Sequence, residues 1–311
     1  MSLLAKLRFY PTSLLLRAQL AAARSLLRSR YRWEALDRLG IPGFGTDLLR
    51  VDFPPDAAAK PCWGHGRPTH PLLATIVDAH QSAQLELLRA CLAFAADCHA
   101  WPENEDPARP ELPWRENEFL PAFDRTALYG LLRHLRPQRY LEIGSGMSTR
   151  VAWQARHIGG FPMEIVSVDP SPRLAISALC DQVHRQRLED VVDAFLALVT
   201  PRTVVFFDGS HRSFPASDVT VFFLEILPRL PAGTIVQIHD IFLPDDYPPQ
   251  AFNRLWSEQY LLASWLLGGS QGIKILLPCA RLEQIPAARS LLTAALGPGP
   301  GGGSSFWFEK T

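Results

Sequence analysis

Thr203-Val204-Val205-Phe206-Phe207 is apolar at every position but its first and stops at Asp208-Gly209. A run with no polar alternation has no face to give to water. As a strand it must be covered on both sides, which is the setting of a parallel sheet between two helical layers. The same form recurs along the chain. Tyr140-Leu141-Glu142-Ile143 closes on Gly144-Ser145-Gly146, Ile165-Val166-Ser167-Val168 on Asp169-Pro170, and Thr234-Ile235-Val236-Gln237-Ile238 on His239-Asp240. Helix-length segments separate these runs, and strand alternating with helix means a doubly wound α/β sheet. Ligands then gather at the carboxyl ends of the strands, where Glu142, Asp169, Asp208, His239 and Asp240 all fall.

The remaining chain fills in this plan. Gly40–Pro71 is rich in glycine and proline and reads as irregular connection. Leu72, Leu73, Ile76 and Val77, followed by Leu85, Leu88, Cys91 and Leu92, predict one long helix over 71–100. Trp101–Pro113 is charged and proline-rich and reads as a linker, so a domain boundary is expected there. Asp124 is placed to cap a helix running through Leu128 to Leu135. Ser171-Pro172 reads as a helix start with proline at its first position, and Val183–Asp190 as a third strand with its polar end. Helices are expected over Asp218–Leu230 and Pro248–Leu267, with Trp256, Tyr260 and Trp265 as core, then a sixth strand at Ile273–Leu277 and a helical insertion. Gly297–Ser305 is flexible in composition and leads into Phe306-Trp307-Phe308.

The first strand tip carries the chemistry. An acid at a strand end followed by Gly-x-Gly is the sequence form of a nucleotide-type cofactor pocket, because glycine lets the backbone approach the ligand with no Cβ between them. A dinucleotide cradle wants a third glycine, where Thr149 stands, and Glu142 would repel a pyrophosphate. The pair favours a cationic or hydroxyl-rich ligand. Asp169, at the next strand tip, is the kind of acid that accepts from both hydroxyls of a ribose.

Glu142-x-Gly144-Ser145-Gly146-x-Ser148-Thr149, with Asp169 after it, resembles the first two motifs of the class I S-adenosylmethionine-dependent methyltransferases. The resemblance implies S-adenosylmethionine as cofactor, bound by Glu142, Gly144, Ser145, Gly146 and Ser148, with the Gly144–Gly146 turn facing its methionine part and Asp169 on its ribose. Glu189 or Asp190, in the loop after the third strand, would then face adenine. It also implies a seven-stranded, Rossmann-like methyltransferase sheet over 114–311, with Phe306–Phe308 as an antiparallel strand between the fifth and sixth. Residues 1–113 become an N-terminal helical and irregular extension. Leu120-Pro121, Asp208-Gly209-Ser210-His211 and His239–Pro244 resemble a bacterial subgroup that includes relatives of the macrocin-type sugar O-methyltransferases. That implies O-methylation of a hydroxylated small molecule or glycan.

An alcohol acceptor needs a base or a metal to loosen its proton. Asp208, His211, His239 and Asp240 are the groups at hand, with Asp208, His211 and His239 as catalytic candidates. Metal-dependent O-methyltransferases hold Mg²⁺ with an acid after the fourth strand and an acid pair after the fifth, so the resemblance implies Asp208, His239 and Asp240 as ligands. His239 stands where an oxygen ligand belongs, and that departure leaves His211 or His239 as a metal-free base. A nicotinamide-dependent oxidoreductase and a non-catalytic cofactor-binding partner subunit are the alternative readings of such a fold.

Composition narrows the rest. Of 311 residues 47% are apolar and 20% charged, which suffices for a full core. Lys+Arg and Asp+Glu both number 31, so no bulk charge speaks for nucleic acid. The five cysteines are scattered, with no Cys-x-x-Cys pair, which argues against a disulfide framework and for a reducing, cytoplasmic setting. No apolar run approaches the ~20 residues of a membrane span. Residues 1–32 carry seven basic residues interleaved with leucines and no acid. They read as a helix whose leucine face packs on the main domain, with a weak contact to an anionic membrane surface or a transit peptide as the other readings.

Overall fold

The structure, a computed structural model, describes residues 59–172, 174–299 and 301–311, except for the side chain of Asn253. The basic arm 1–32 lies outside them. Residues Ala57–Thr311 form one compact unit.

Seven strands make a single sheet: β1 Arg139–Ile143, β2 Glu164–Val168, β3 Gln182–His184, β4 Thr203–Phe207, β5 Ile235–Ile238, β6 Ile273–Pro278 and β7 Phe306–Lys310. Their order is β3-β2-β1-β4-β5-β7-β6. β1 pairs in parallel with β2 and β4, in register Ile143 with Val168 and Phe207, so the tips carrying Gly144, Asp169 and Asp208 lie side by side. β7 runs antiparallel to β5 and β6 and separates them, as the resemblance implied.

The apolar runs are buried on both faces. Val205 and Phe207 join a core with Leu141, Val166 and Ile238, whereas Val204 and Phe206 join a second core with Tyr140 and Ile165 on the opposite face. The first face is covered by α1 Pro71–Val77, α6 Val192–Leu198, α7 Asp218–Val221 and α8 Glu258–Leu267. The second is covered by α2 Gln81–Leu92, α3 Ala95–His99, α4 Ala122–Leu135, α5 Met147–Gly159, α9 Cys279–Leu282 and α10 Pro286–Leu296.

Several expectations need correction. The single helix over 71–100 is three short ones, and the first ends because the Gln84 side chain donates to the Val77 carbonyl (2.8 Å). The boundary at 113/114 does not divide the packing. α2 lies so close to α4 that a Cβ on Gly130 would sit 2.4 Å from the Cys91 carbonyl oxygen. The linker is tied down as well, since buried Arg150 donates to the Leu112 carbonyl and pairs with Glu105. Asp124 is not a cap: Pro121 holds that position, and the Asp124 carboxylate turns inward to Ser304 and Ser305. No helix follows Ser171-Pro172 among the described residues, because Asp169 takes the Ser171 amide into a tight turn. The expected helix over 248–267 breaks at Leu255, whose φ is 55°, which frees Trp256 from the core and points it to the site. Asp218–Arg229 is helical, ending one residue short of the expected Leu230, but passes through a π turn at Phe222–Ile226 ahead of Pro228, which has no amide hydrogen to continue the ladder.

Candidate active site

A cavity of about 840 Å³ opens over the tips of β1, β2, β4 and β5. Its wall between β1 and α5 is the glycine turn. Gly144 has φ +80°, and a Cβ there would lie 1.9 Å from the Asp208 carbonyl oxygen, so the fold itself demands glycine. Gly146 is different. A Cβ there would meet only Leu174, at 3.8 Å, so the space it leaves belongs to the cavity. Asp169 lines the same cavity and is locked by two backbone amides, those of Ser145 and Ser171, each at 2.7 Å. Ser145 and Ser148 line it too.

Glu142 does not reach the cavity. It is fully buried and accepts from the hydroxyls of Thr149, Ser148 (3.0 Å) and Tyr140 (3.2 Å). Thr149 in turn accepts from the Gly146 amide at 3.0 Å. The residue standing where a dinucleotide fold has glycine therefore braces the turn from beneath, with Glu142 as its anchor. Burial pushes the Glu142 carboxyl up to about 7, against those hydrogen bonds. Such an acid is protonated more readily folded than unfolded. Its contribution to stability is complete below the unfolded value of 4.5 and fades as pH rises to about 7. The span corresponds to about 3 kcal/mol. Glu142→Gln should remove this slope: chemical denaturation of variant and wild type should agree near pH 4.5 and favour the variant increasingly up to pH 8. Parallel curves would refute the burial of an ionisable Glu142.

In the loop after β3, Glu189 lines the cavity beside Leu188, whereas Asp190 is exposed and pairs with Arg187 at 3.1 Å. Of the two adenine candidates only Glu189 lines the cavity.

Beyond the turn, the tips of β4 and β5 assemble an acidic cluster. Asp208, His211 and Asp240 each offer a ligand atom within 4.8 Å of one another. His211 Nε2 lies 3.3 Å from Asp208 and 3.7 Å from Asp240. Its Nδ1 meets Glu258 at 2.8 Å. Glu258 is wholly buried at the start of α8, and the preceding Ser257 amide donates to the His211 carbonyl at 2.8 Å. The Trp256 ring packs on the imidazole with centroids 4.6 Å apart. His211 and Asp240 both hold left-handed backbone, φ 62° and 56°, a strained state for these residues that persists only where surroundings enforce it. Burial depresses the His211 imidazole, but hydrogen bonds to Asp208 and Glu258 outweigh it and raise it to about 10.

The set implied as metal ligands, Asp208, His239 and Asp240, does not converge as one group. His239 is not in the converging group; it is buried, with Nε2 3.4 Å from Asp124 and Nδ1 3.6–3.8 Å from Asp240 and Asp208. The third residue of the converging group is His211. Glu258, Asp124 and Trp256 were missed as site residues because nothing local marks them. Glu258 is an ordinary first-turn acid in the sequence, 47 positions from the histidine it holds.

Residues 141–241 match the family model described as a methyltransferase domain. No curated protein matches the chain. Among solved structures, the SAH-bound methyltransferase PaMTH1 of Podospora anserina is 15% identical, with a TM-score of 0.39 over 73% of this chain and 88% of that one. A provisionally assigned methyltransferase from Thermobifida fusca YX is 13% identical, with a TM-score of 0.38 over 73% and 94%. The matched segment runs from within β1, through the glycine turn, to just past the acidic cluster, so residues 141–241 carry a methyltransferase domain.

Proposed function

We propose that this site methylates a hydroxyl of a small molecule or glycan, the reaction that the likeness to macrocin-type sugar O-methyltransferases implies. One observation carries the reading: Asp208, His211 and Asp240 open onto the same cavity as the glycine turn and Asp169. Asp169 would accept from the ribose hydroxyls, Leu188 and Glu189 would flank the adenine, and the gap at Gly146 would admit the methionine part. S-adenosylmethionine, when bound, supplies a methyl group on a sulfonium, so the chain has only to align the acceptor and receive its proton.

The cluster also fits a divalent cation. Its three donor atoms converge, and His211 is held through its other nitrogen by a buried carboxylate, as metal-binding imidazoles commonly are. An imidazole among the donors suits Mn²⁺ or Zn²⁺ better than Mg²⁺. Asp208, His211 and Asp240 would hold the ion, and it would lower the pKa of the acceptor hydroxyl. Glu258 keeps His211 Nε2 turned to the cluster, and Trp256 covers the imidazole from one side.

Purified protein given methyl-labelled S-adenosylmethionine and a panel of hydroxylated acceptors should label at least one of them. Asp169→Ala should weaken cofactor binding roughly tenfold to a hundredfold, the loss of a charge-assisted contact worth ~1.5–3 kcal/mol. Unchanged affinity in calorimetry would remove Asp169 from the ribose. Label reaching amines and no alcohol would overturn O-methylation.

A further inference from the structure

A second cavity, of about 770 Å³, lies next to the first, and Pro121 and Asp240 line both. Asp240 thus stands as the partition between the space at the cofactor turn and this second space. The far wall is the chain leading into β7, from Gly301 to Ser304, and the sides come from Asp245 and from Glu283 and Thr293 at α9–α10. The volume is in the range of small-molecule sites. Nothing so far described uses it.

We infer that this cavity is the acceptor seat and that it takes a non-anionic polyol of the glycoside class, with the hydroxyl to be methylated lying at Asp240. The inference rests on the reading of the first cavity as the methyl-donor site. Three carboxylates line the seat, Asp240, Asp245 and Glu283, against one arginine among the described lining residues, Arg289, which is exposed. A phosphate or carboxylate placed here meets like charge. Nor are Asp245 and Glu283 bare charges that call for a cation. Asp245 accepts from Thr69 Oγ1 at 2.7 Å and Gln284 Nε2 at 2.8 Å. Glu283 accepts from the Gly303 amide at 3.3 Å, and Asp240 from Ser304 Oγ at 3.2 Å. A carboxylate has about four lone-pair sites, so each retains acceptors for ligand hydroxyls. Phe242, Leu292 and Pro121 add apolar wall between the polar groups, which matches the C–H faces of a sugar ring.

The step balances with groups already named. The acceptor O–H gives its proton to the Asp208–His211–Asp240 cluster as its oxygen bonds the methyl carbon. The carbon–sulfur bond breaks, and its electron pair stays on sulfur, which becomes a neutral thioether.

The test uses the full chain with S-adenosylmethionine and two sets of probes: methyl glycosides, and the same sugars carrying a phosphate or a uronate. Saturation-transfer NMR reads binding and methyl-labelled cofactor reads transfer. Ala280→Phe and Thr293→Trp narrow the second cavity from α9 and α10 and leave the first untouched. We expect methyl glycosides to bind, the anionic sugars to be silent, and both variants to weaken glycoside binding at least ~tenfold while cofactor affinity holds. Two variants on different helices guard against one of them misfolding. The inference is overturned if no methyl glycoside binds, if anionic sugars bind as well, or if both variants bind like wild type. A glycoside that binds the seat and is never methylated leaves the seat standing and sinks the hydroxyl-methylation reading. Transfer that both variants perform like wild type does the reverse.

Discussion

Asp208→Asn should cut methyl transfer by roughly 10²–10⁴-fold, while S-adenosylmethionine binds as before. The side chain is 36% exposed at the cavity wall, and asparagine keeps its shape, so the change removes chiefly charge. It leaves Asp240 as the only cluster carboxylate facing His211 Nε2. Proton removal and cation binding both depend on the pair, so both fail together. Asp208→Asn/Asp240→Asn should be little worse than either single variant, because groups acting as a unit do not add. If the cluster works with a divalent ion, chelator should reproduce the loss, and Mn²⁺ or Zn²⁺ should restore activity to wild type but not to the variant. Direct titration of the ion, followed by calorimetry, should show binding in wild type and none in the double variant. Near-wild-type turnover of the double variant would remove the cluster from the chemistry.

Asp124→Ala should be the most destabilising single change in the site, by about 3–5 kcal/mol. Asp124 is wholly buried and accepts from the Ser304 amide (2.8 Å), the Ser304 hydroxyl (3.0 Å) and the Ser305 amide (2.9 Å). These contacts seat the chain that enters β7, the strand between β5 and β6. Asp124 also lies 3.4 Å from Nε2 of buried His239. Burial depresses that imidazole, yet Asp240, Asp208 and Asp124 hold it well above its ordinary range. Alanine strands two buried amides and removes one counter-charge at once. Thermal unfolding should begin roughly 10 °C lower, at ~2–4 °C per kcal/mol for a unit of this size. Asp124→Asn, which keeps an acceptor, should fall between. A melt within 2 °C of wild type for the alanine variant would show that Asp124 is not the anchor of β7.

Much of this architecture was legible in the chain. Val204–Phe207 announces a strand buried on both faces by having no polar alternation, and its alternate residues do divide between two cores. Asp169 and Gly144–Gly146 could be placed together because each lies at the end of its own strand, and parallel neighbours bring their ends together. The breaks were not legible. His80, Phe94 and Leu255 are not turn residues by type; the chain bends there because Gln84, α4 and the His211 loop claim the backbone. Glu142 shows the same limit in the site. Its position in the motif suggested a ligand contact, but whether a strand-end side chain faces the cavity or the helix below depends on how α5 packs.

Short patterns along the chain were enough to set the class of fold, the strand tips that would bear ligands and the kind of cofactor they suit. All of these rest on short-range patterns, namely apolar period, glycine turns and strand-end acids, which are complete within a few residues. Tertiary structure alone decided which acids work together. Glu258 reaches His211 across 47 positions and Ser304 reaches Asp124 across 180. No periodicity encodes such pairs; they exist because burial makes an unpartnered carboxylate costly and the packed fold brings its partners from distant parts of the chain.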